Sequence, residues 1–543
     1  MSCSGTRLSP TQASRPVTLH ERLFVSAADH PHAVALIAGD DIWSYDRLTR
    51  YIRQLAQGLL AQGLKPGDRV ALHLTNKPET VAAFYACMLT GVIAVPLNSR
   101  LTRAELEPQL RRLQVSLYLG QVDLYDAIAG INTSILDTQR RFLVDDPVQN
   151  TGTRAWCEMI GFHGDEVPLP PARIDEPAIL LPTSGTTGEP KFVAHTPRTV
   201  SEMAQACQAI VSRPYDVALI ATPMMHGAGL FTTMTTLAID GTCVLMDRFE
   251  PAAALDLIEQ HRCTMLMWLP FMYSGVIAHQ IAQPRNVTSL GTCLVGGDTS
   301  PPGLQEEFLR VFGIRLRNFL GMSESAGTFT YGFDIGSVCR AVDMDRVRLV
   351  DEEGNTVRRG EAGELEMRGP NMFVGYWLRP GHIDDARKDG WWATGDVLRQ
   401  DEDGDFWYVA RKKNLIIRGG SNISPTEVEH AVTVHPGVRE AAIIGVPDAI
   451  LGQRVIGFVE LTEATTRVED VLLDLSTRVA RYKMPERLIV VDQLPRNTLG
   501  KVDRAKLKAI GERLEVSLKT APARIVPDDP AQLEIPPVTG AGS

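Results

Sequence analysis

The sequence predicts an α/β fold: a large N-terminal multi-subdomain α/β body with mostly parallel sheets, followed by a small α+β domain. Three observations predict it. Amphipathic and continuously apolar segments alternate from about residue 44, the rhythm of βα units that lay helices on the faces of a parallel sheet. Beyond residue 340 the texture changes to short strands and tight turns. A chain of 543 residues exceeds what one core ordinarily fills, so two or more domains are expected.

Helical spacing over 52–62 leads into an apolar strand-like run at 69–74, a second helical pattern at 79–90 and another apolar run at 92–97. The rhythm returns at 217–221, at 263–269 and in a strand ending on Val295. DEEGN at 351–355 and DEDGD at 401–405 are turn signals between short strands. A second unit is expected from Lys412, with a helix over 425–432, strands over 441–446 and 455–461, and a helix over 468–479. The expected domains are 18–411 and 412–515, flanked by disordered ends at 1–17 and 516–543. The latter carries Pro522, Pro527, Pro530, Pro536 and Pro537, a composition that does not build a core.

A hydrophobic share of 44% with 22% charged residues describes a globular protein. A formal charge of −10 and a pI near 5.7 argue against a broad nucleic-acid surface. Eight cysteines are scattered with no C-x-x-C pair and no zinc-ligand spacing. They read as reduced thiols of a cytoplasmic protein. The N-terminus lacks an apolar leader, and no run approaches the roughly 18 apolar residues of a membrane span.

The most informative stretch is TSGTTGEPK at 183–191. Gly185 and Gly188 let the backbone turn where a side chain would obstruct it. Thr183, Ser184, Thr186 and Thr187 bring hydroxyl donors alongside backbone N–H groups, and Lys191 adds a mobile cation. It is not the common P-loop, because Glu189 and Pro190 separate the second glycine from the lysine and Phe192 follows it. Alone, such a run is more often a solvated turn.

Its company changes that reading. LGMSES at 320–325, WWATGDV at 391–397, ARKKN at 410–414, PMMHGAG at 223–229, VGGDTSPP at 295–302 and LPRNTLGKVDR at 494–504 stand along the chain, with RGPNMFVGYW at 368–377 and HPGV at 435–438 between them. Together these segments resemble the acyl-adenylate-forming (ANL) superfamily of acyl-CoA synthetases, peptide-synthetase adenylation domains and luciferases, over residues 20–510. Phe192, Leu320 and Cys339 depart from the usual glycine, aromatic and glycine of that family.

The resemblance implies the ANL adenylating fold, with a mobile C-terminal domain, and a role for each matching residue. Thr183, Ser184, Gly185, Thr186, Thr187, Gly188 and Lys191 hold the ATP phosphates. Asp298, Gly321, Met322 and Ser323 line the nucleotide. Asp396 and Arg411 hold the ribose, where a carboxylate offers two acceptor oxygens to a vicinal diol. Glu324, with Thr187, binds Mg2+, a hard cation that shares oxygen ligands with substrate phosphates. His226 stands by the acid's carboxylate, and Gly227, Gly229, Gly321 and Ala326 leave room for the acyl group. Lys501 bridges the carboxylate oxygen and the α-phosphate, so Lys501, His226 and Thr187 form the catalytic set. Lys413 is the hinge, and Gly419 and Gly420 line the passage for a pantetheine thiol.

The implied activity is ATP-dependent ligation of a carboxylic acid to coenzyme A through an acyl-AMP, with domain rotation between two half-reactions and with ATP, Mg2+ and coenzyme A required. An acyl carrier protein presents the same pantetheine arm, so a stand-alone enzyme that loads a carrier is the alternative; the absence of an attached carrier segment favours CoA. A binding protein that keeps the fold without catalysis is the rival of another class. Retention of Lys191, Glu324, Asp396, Arg411 and Lys501 together speaks against it. Neither the acid nor a choice between monomer and homodimer is legible in the sequence.

Overall fold

In a computed structural model, the structure describes residues 18–145, 152–161, 167–183, 190–210, 213–297, 300, 302–418, 421–448, 452–463, 465–497 and 500–518. The expected disordered ends at 1–17 and 519–543 lie outside these. Residues 516–518, expected in the tail, instead complete the helix Arg504–Leu518. The chain divides into two compact units, Met1–Lys413 and Asn414–Ser543.

In the first unit, nine described strands form a sheet in the order 382–384, 375–379, 191–195, 179–183, 93–96, 69–73, 117–121, 141–144 and 154–155. Its centre is parallel, with Val70 beside Ala94 and Leu117. Strands Ile93–Pro96 and Leu117–Gln121 are buried at every position, as interior strands covered on both faces must be. The helix Tyr45–Ala61 covers one face because Leu48, Ile52, Leu55 and Leu59 recur at helical spacing and are buried. Ser44 caps it through Arg47 N–H, so it starts at Tyr45, seven residues before the helical spacing expected over 52–62.

A second sheet of seven described strands runs 316–318, 292–295, 265–268, 217–220, 242–245, 34–38 and 41–44, parallel except for its final pair. Asn76, in the turn after the strand Arg69–His73, joins the two sheets. Its amide nitrogen lies 3.0 Å, 3.1 Å and 3.2 Å from the carbonyls of Ile220, Met246 and Thr222, and its oxygen accepts from Met224 N–H at 2.9 Å. A third, antiparallel sheet contains Trp392–Gln400 and Asp405–Arg411. Its anchor is Asp405, fully buried, which accepts from Phe333 N–H, Asp334 N–H, the Ser337 hydroxyl and Arg340.

The second unit packs the helices Pro425–Thr433 and Val468–Ser476 on a sheet centred on the long pair Val438–Asp448 and Gly452–Leu461. Glu429 is nearly buried there, accepting from Ile443 N–H at 2.7 Å and pairing with Arg504 at 2.7 Å. No helix among the described residues is long and apolar enough to cross a membrane.

Candidate active site

The strands Ile179–Thr183 and Lys191–His195 are the arms of an antiparallel hairpin. Ser184, Gly185, Thr186, Thr187 and Gly188 lie outside the described residues. The base is described: Thr183 pairs with Lys191, and its hydroxyl donates to the Lys191 carbonyl at 3.3 Å. Side chains alternate along the second arm. Phe192 points into the core, 0% exposed, with the Arg112 guanidinium 5.4 Å from its ring centroid. Arg112 also donates to the Pro190 carbonyl at 2.9 Å. The departure from the family's glycine therefore fills a core position and ties the loop's exit to the helix Arg103–Leu113.

Lys191 faces the other way. Its ammonium lies 4.5 Å from the centroid of the Tyr376 ring, a cation–π contact, and the Tyr376 hydroxyl donates to Glu324 Oε1 at 2.9 Å. Tyr376 reaches this place because the strand Gly375–Arg379 pairs with Lys191–His195, setting Tyr376 beside Val193. Burial pushes the Glu324 carboxyl above its ordinary value; the Tyr376 hydrogen bond and the Arg411 charge oppose that rise, and Asp396 adds to it. Burial likewise raises the Tyr376 phenol, with Glu324 contributing.

Asp396 and Arg411 are register partners on neighbouring strands. Arg411 Nη1 lies 3.2 Å from Asp396 Oδ1 and donates to the Thr394 carbonyl at 2.5 Å, while Asp396 N–H donates to the Thr394 hydroxyl at 3.0 Å. Gly395 has φ +76°, and a Cβ there would stand 3.3 Å from Arg411 Nη1. The three residues of the T-G-D segment divide the work: Thr394 fixes the backbone, Gly395 adopts the left-handed turn, and Asp396 presents a carboxylate. The Arg411 side chain is 43% exposed and the Asp396 side chain 11%, so the arginine faces solvent over a nearly buried carboxylate. Both act electrostatically on Glu324, Arg411 lowering its carboxyl and Asp396 raising it.

His226 precedes the helix Gly227–Ala238 in extended backbone, φ −113° and ψ 151°. The first N–H groups of a helix lack intrahelical partners and carry partial positive charge, so Gly227, Ala228 and Gly229 offer donors beside His226. A Cβ on Gly227 would meet Ser323 Cα at 3.7 Å, which sets the PMMHGAG segment against the LGMSES segment. Gly229 has a packing reason of its own: a Cβ there would lie 2.4 Å from the Thr222 carbonyl. Gly321 accommodates the Phe319 ring in the same manner, at 3.2 Å. Ala326 is buried in the core, and Met322 and Ser325 close the segment with paired backbone hydrogen bonds at 3.2 Å and 3.1 Å.

Asp298 lies outside the described residues, as do Gly419 and Gly420. Lys413 sits in a single 3-10 turn, Lys412–Asn414, at the end of the first unit. Lys501 belongs to the second unit. Asn497 brackets it, accepting from Lys501 N–H at 3.1 Å and donating to its carbonyl at 2.8 Å. Gly500, at φ +80°, makes the turn possible.

Among the described residues, no cluster of three or more His, Cys, Asp or Glu could hold a metal unaided. A metal held by Glu324 would draw further ligands from substrate phosphates and water. That is the habit of Mg2+, which takes one or two carboxylates and shares the rest with phosphates and water. The desolvated carboxyl of Glu324 fits such a cation, which offsets the cost of ionising it.

Sequence reasoning missed Tyr376, His195 and Asn76. Tyr376 stood in a recognised segment without a role. His195 shares a strand face with Lys191, four residues on, a periodicity that could have found it. His195 is fully buried, and burial lowers its imidazole to about 4 while the Ser323 carbonyl opposes that shift.

Two family models match the chain: AMP-binding enzyme over residues 23–377 and AMP-binding enzyme C-terminal domain over residues 427–501. The chain is 34% identical to a feruloyl-CoA synthase of Amycolatopsis sp, over 88% of this chain and 96% of that protein. It is 32% identical to a long-chain-fatty-acid–CoA ligase of Bacillus subtilis, over 90% and 94% respectively. Among solved structures, ATP-bound MatB from Rhodopseudomonas palustris is similar with a TM-score of 0.81 and 29% identity, covering 92% of this chain and 100% of that one.

Proposed function

This chain belongs to the family of AMP-binding enzymes, and we propose that it ligates a carboxylic acid to coenzyme A through an acyl-AMP intermediate. In the first step a carboxylate oxygen attacks the α-phosphorus of ATP and pyrophosphate leaves. In the second the CoA thiol attacks the acyl carbon, the bond to the phosphate oxygen breaks, and AMP departs with the electron pair.

The observation that best supports this reading is the run of contacts from Lys191 through the Tyr376 ring to Glu324, with the Asp396–Arg411 pair on neighbouring strands of the third sheet. Asp396 accepts the ribose hydroxyls, and Arg411 keeps that carboxylate oriented. Lys191 and the Thr183–Gly188 loop hold the phosphates. Glu324 is the protein ligand for Mg2+, which when bound neutralises charge on the departing pyrophosphate. The N–H groups beside His226 hold the acid's carboxylate, and Lys501 is brought to the point of attack by rotation about Lys413, offsetting charge between the two anions. A second rotation removes Lys501 and lets Gly419 and Gly420 admit the thiol. The same reading places the enzyme in the cytoplasm, where ATP and CoA are at hand.

Incubation with ATP, Mg2+, CoA and a panel of fatty, alicyclic and aromatic acids tests it, with pyrophosphate release and the thioester mass as readouts. Acid-dependent release accompanied by an acyl-CoA is expected. Release whose thioester forms only on a pantetheine-bearing carrier protein redirects the second step, and no release with any acid overturns the reading.

A further inference from the structure

We infer that His195 is a positioning residue that fixes the peptide bearing Glu324 and ties it to the phosphate-loop strand and the acyl-side helix. The inference rests on the nucleotide site proposed above. His195 ends the strand that Lys191 begins, on the same face, and is 0% exposed. Its Nε2 lies 2.7 Å from the Ser323 carbonyl oxygen. A carbonyl can only accept, so Nε2 carries the hydrogen and, in the neutral ring, Nδ1 is the acceptor. The Thr199 hydroxyl faces it at 3.2 Å and shares its one hydrogen with the Thr196 carbonyl at 3.1 Å.

Thr199 is itself held by the Thr196 N–H at 3.0 Å, at the start of the helix Pro197–Ile210. The ring also stands edge-on to Phe231, with centroids 5.6 Å apart. Phe231 lies on the helix that follows His226. One imidazole thus touches the segments assigned to metal and acid from the strand assigned to phosphate.

The consequence falls on Glu324. The peptide before it is held by His195, and its own carbonyl accepts from Phe373 N–H at 2.8 Å. Its side chain is held by Tyr376. Removing the His195 donor takes a partner from the half-buried Ser323 carbonyl and frees one of these three restraints, so the carboxylate no longer waits in the position the metal requires.

The test uses the full-length protein with His195→Phe, which keeps a ring against Phe231 and loses the donor, and His195→Gln, whose amide restores a donor at similar reach. Binding of Mn2+·ATP is followed by the electron paramagnetic resonance of Mn2+, and pyrophosphate release is measured against Mg2+ concentration. His195→Phe is expected to weaken Mn2+·ATP binding about 5- to 20-fold and to raise the Mg2+ requirement in parallel. His195→Gln should return both to within about 3-fold of the parent. Thioester formation from supplied acyl-AMP should change little in either. Equal behaviour of the Phe and Gln variants, or a proportional loss in both half-reactions with unchanged Mn2+·ATP affinity, overturns the inference. Should the Phe variant not fold, His195→Leu takes its place with the same expected results. Failure of the parent enzyme to release pyrophosphate with any acid sinks the functional reading; a parent that reacts beside an unaffected His195→Phe sinks only this one.

Discussion

The Tyr376 hydroxyl donates a 2.9 Å hydrogen bond to Glu324 Oε1 while the face of the same ring receives the Lys191 ammonium at 4.5 Å from its centroid. One side chain therefore spaces a cation from a carboxylate that would otherwise close into an ion pair and compete with phosphate and metal. Tyr376→Phe retains the ring and loses only the hydroxyl. A hydrogen bond to a charged acceptor contributes about 1.5–3 kcal/mol, so the Mg2+ requirement for pyrophosphate release should rise about 10-fold with modest change in thermal stability. An unchanged Mg2+ titration would show that the hydroxyl does not orient Glu324.

Lys501→Ala should separate the half-reactions. Acyl-AMP formation is expected to fall by roughly 10²- to 10³-fold, the scale for removing a transition-state electrostatic partner. Thioester formation from supplied acyl-AMP should fall far less. Equal damage to both steps contradicts the assigned role.

For Asp396→Ala, the ribose assignment predicts a rise in the KM for ATP of about 10-fold or more, the loss of two hydrogen bonds to a charged group. The KM for the acid should hardly move. Parallel changes in both constants would indicate distortion of the Thr394–Arg411 turn instead.

Phe192→Gly restores the residue usual in the family and should nonetheless harm this protein. The ring is fully buried and packed under Arg112, and deleting a buried phenylalanine side chain costs about 3–5 kcal/mol. A large drop in denaturation midpoint is expected; a neutral outcome would mean that the ring is not part of the core.

Acid stability should depend on His73. It is fully buried, its Nδ1 is 3.0 Å from the Tyr118 hydroxyl, and burial lowers its imidazole from 6.5 to about 4. Between those two values the unfolded chain binds a proton that the folded chain refuses, so stability falls as pH falls through that window. The loss from this group amounts to about 1.5 kcal/mol between pH 6.5 and 5. His73→Phe should flatten the decline in unfolding free energy over that range by a similar amount, whatever its effect at pH 8. An unaltered slope would rule His73 out as a source of acid sensitivity.

The individual secondary elements were legible because their signals are local. The runs at 69–74 and 92–97 became the strands Arg69–His73 and Ile93–Pro96, and the pattern at 425–432 became the helix Pro425–Thr433. Boundaries slipped where polar residues set them rather than the apolar pattern, as at Ser44, whose side chain caps its helix early by accepting from Arg47 N–H. DEDGD was legible as a turn, yet Asp405 within it is a buried anchor for four donors brought from residues 333–340.

What the sequence determined by itself was the inventory: which short segments carry hydroxyls, a lysine, a glutamate and an Asp–Arg pair, and their order along the chain. Only the tertiary structure decided which side chains stand between them. Tyr376 meets Lys191 and Glu324 because its strand pairs with one nearly two hundred residues earlier. His195 meets Ser323, and Asn76 the turn before His226, across gaps of 128 and 148 residues. Periodicity reports which face of an element is apolar; it does not report which distant element that face will meet, because that choice is made by packing the whole core.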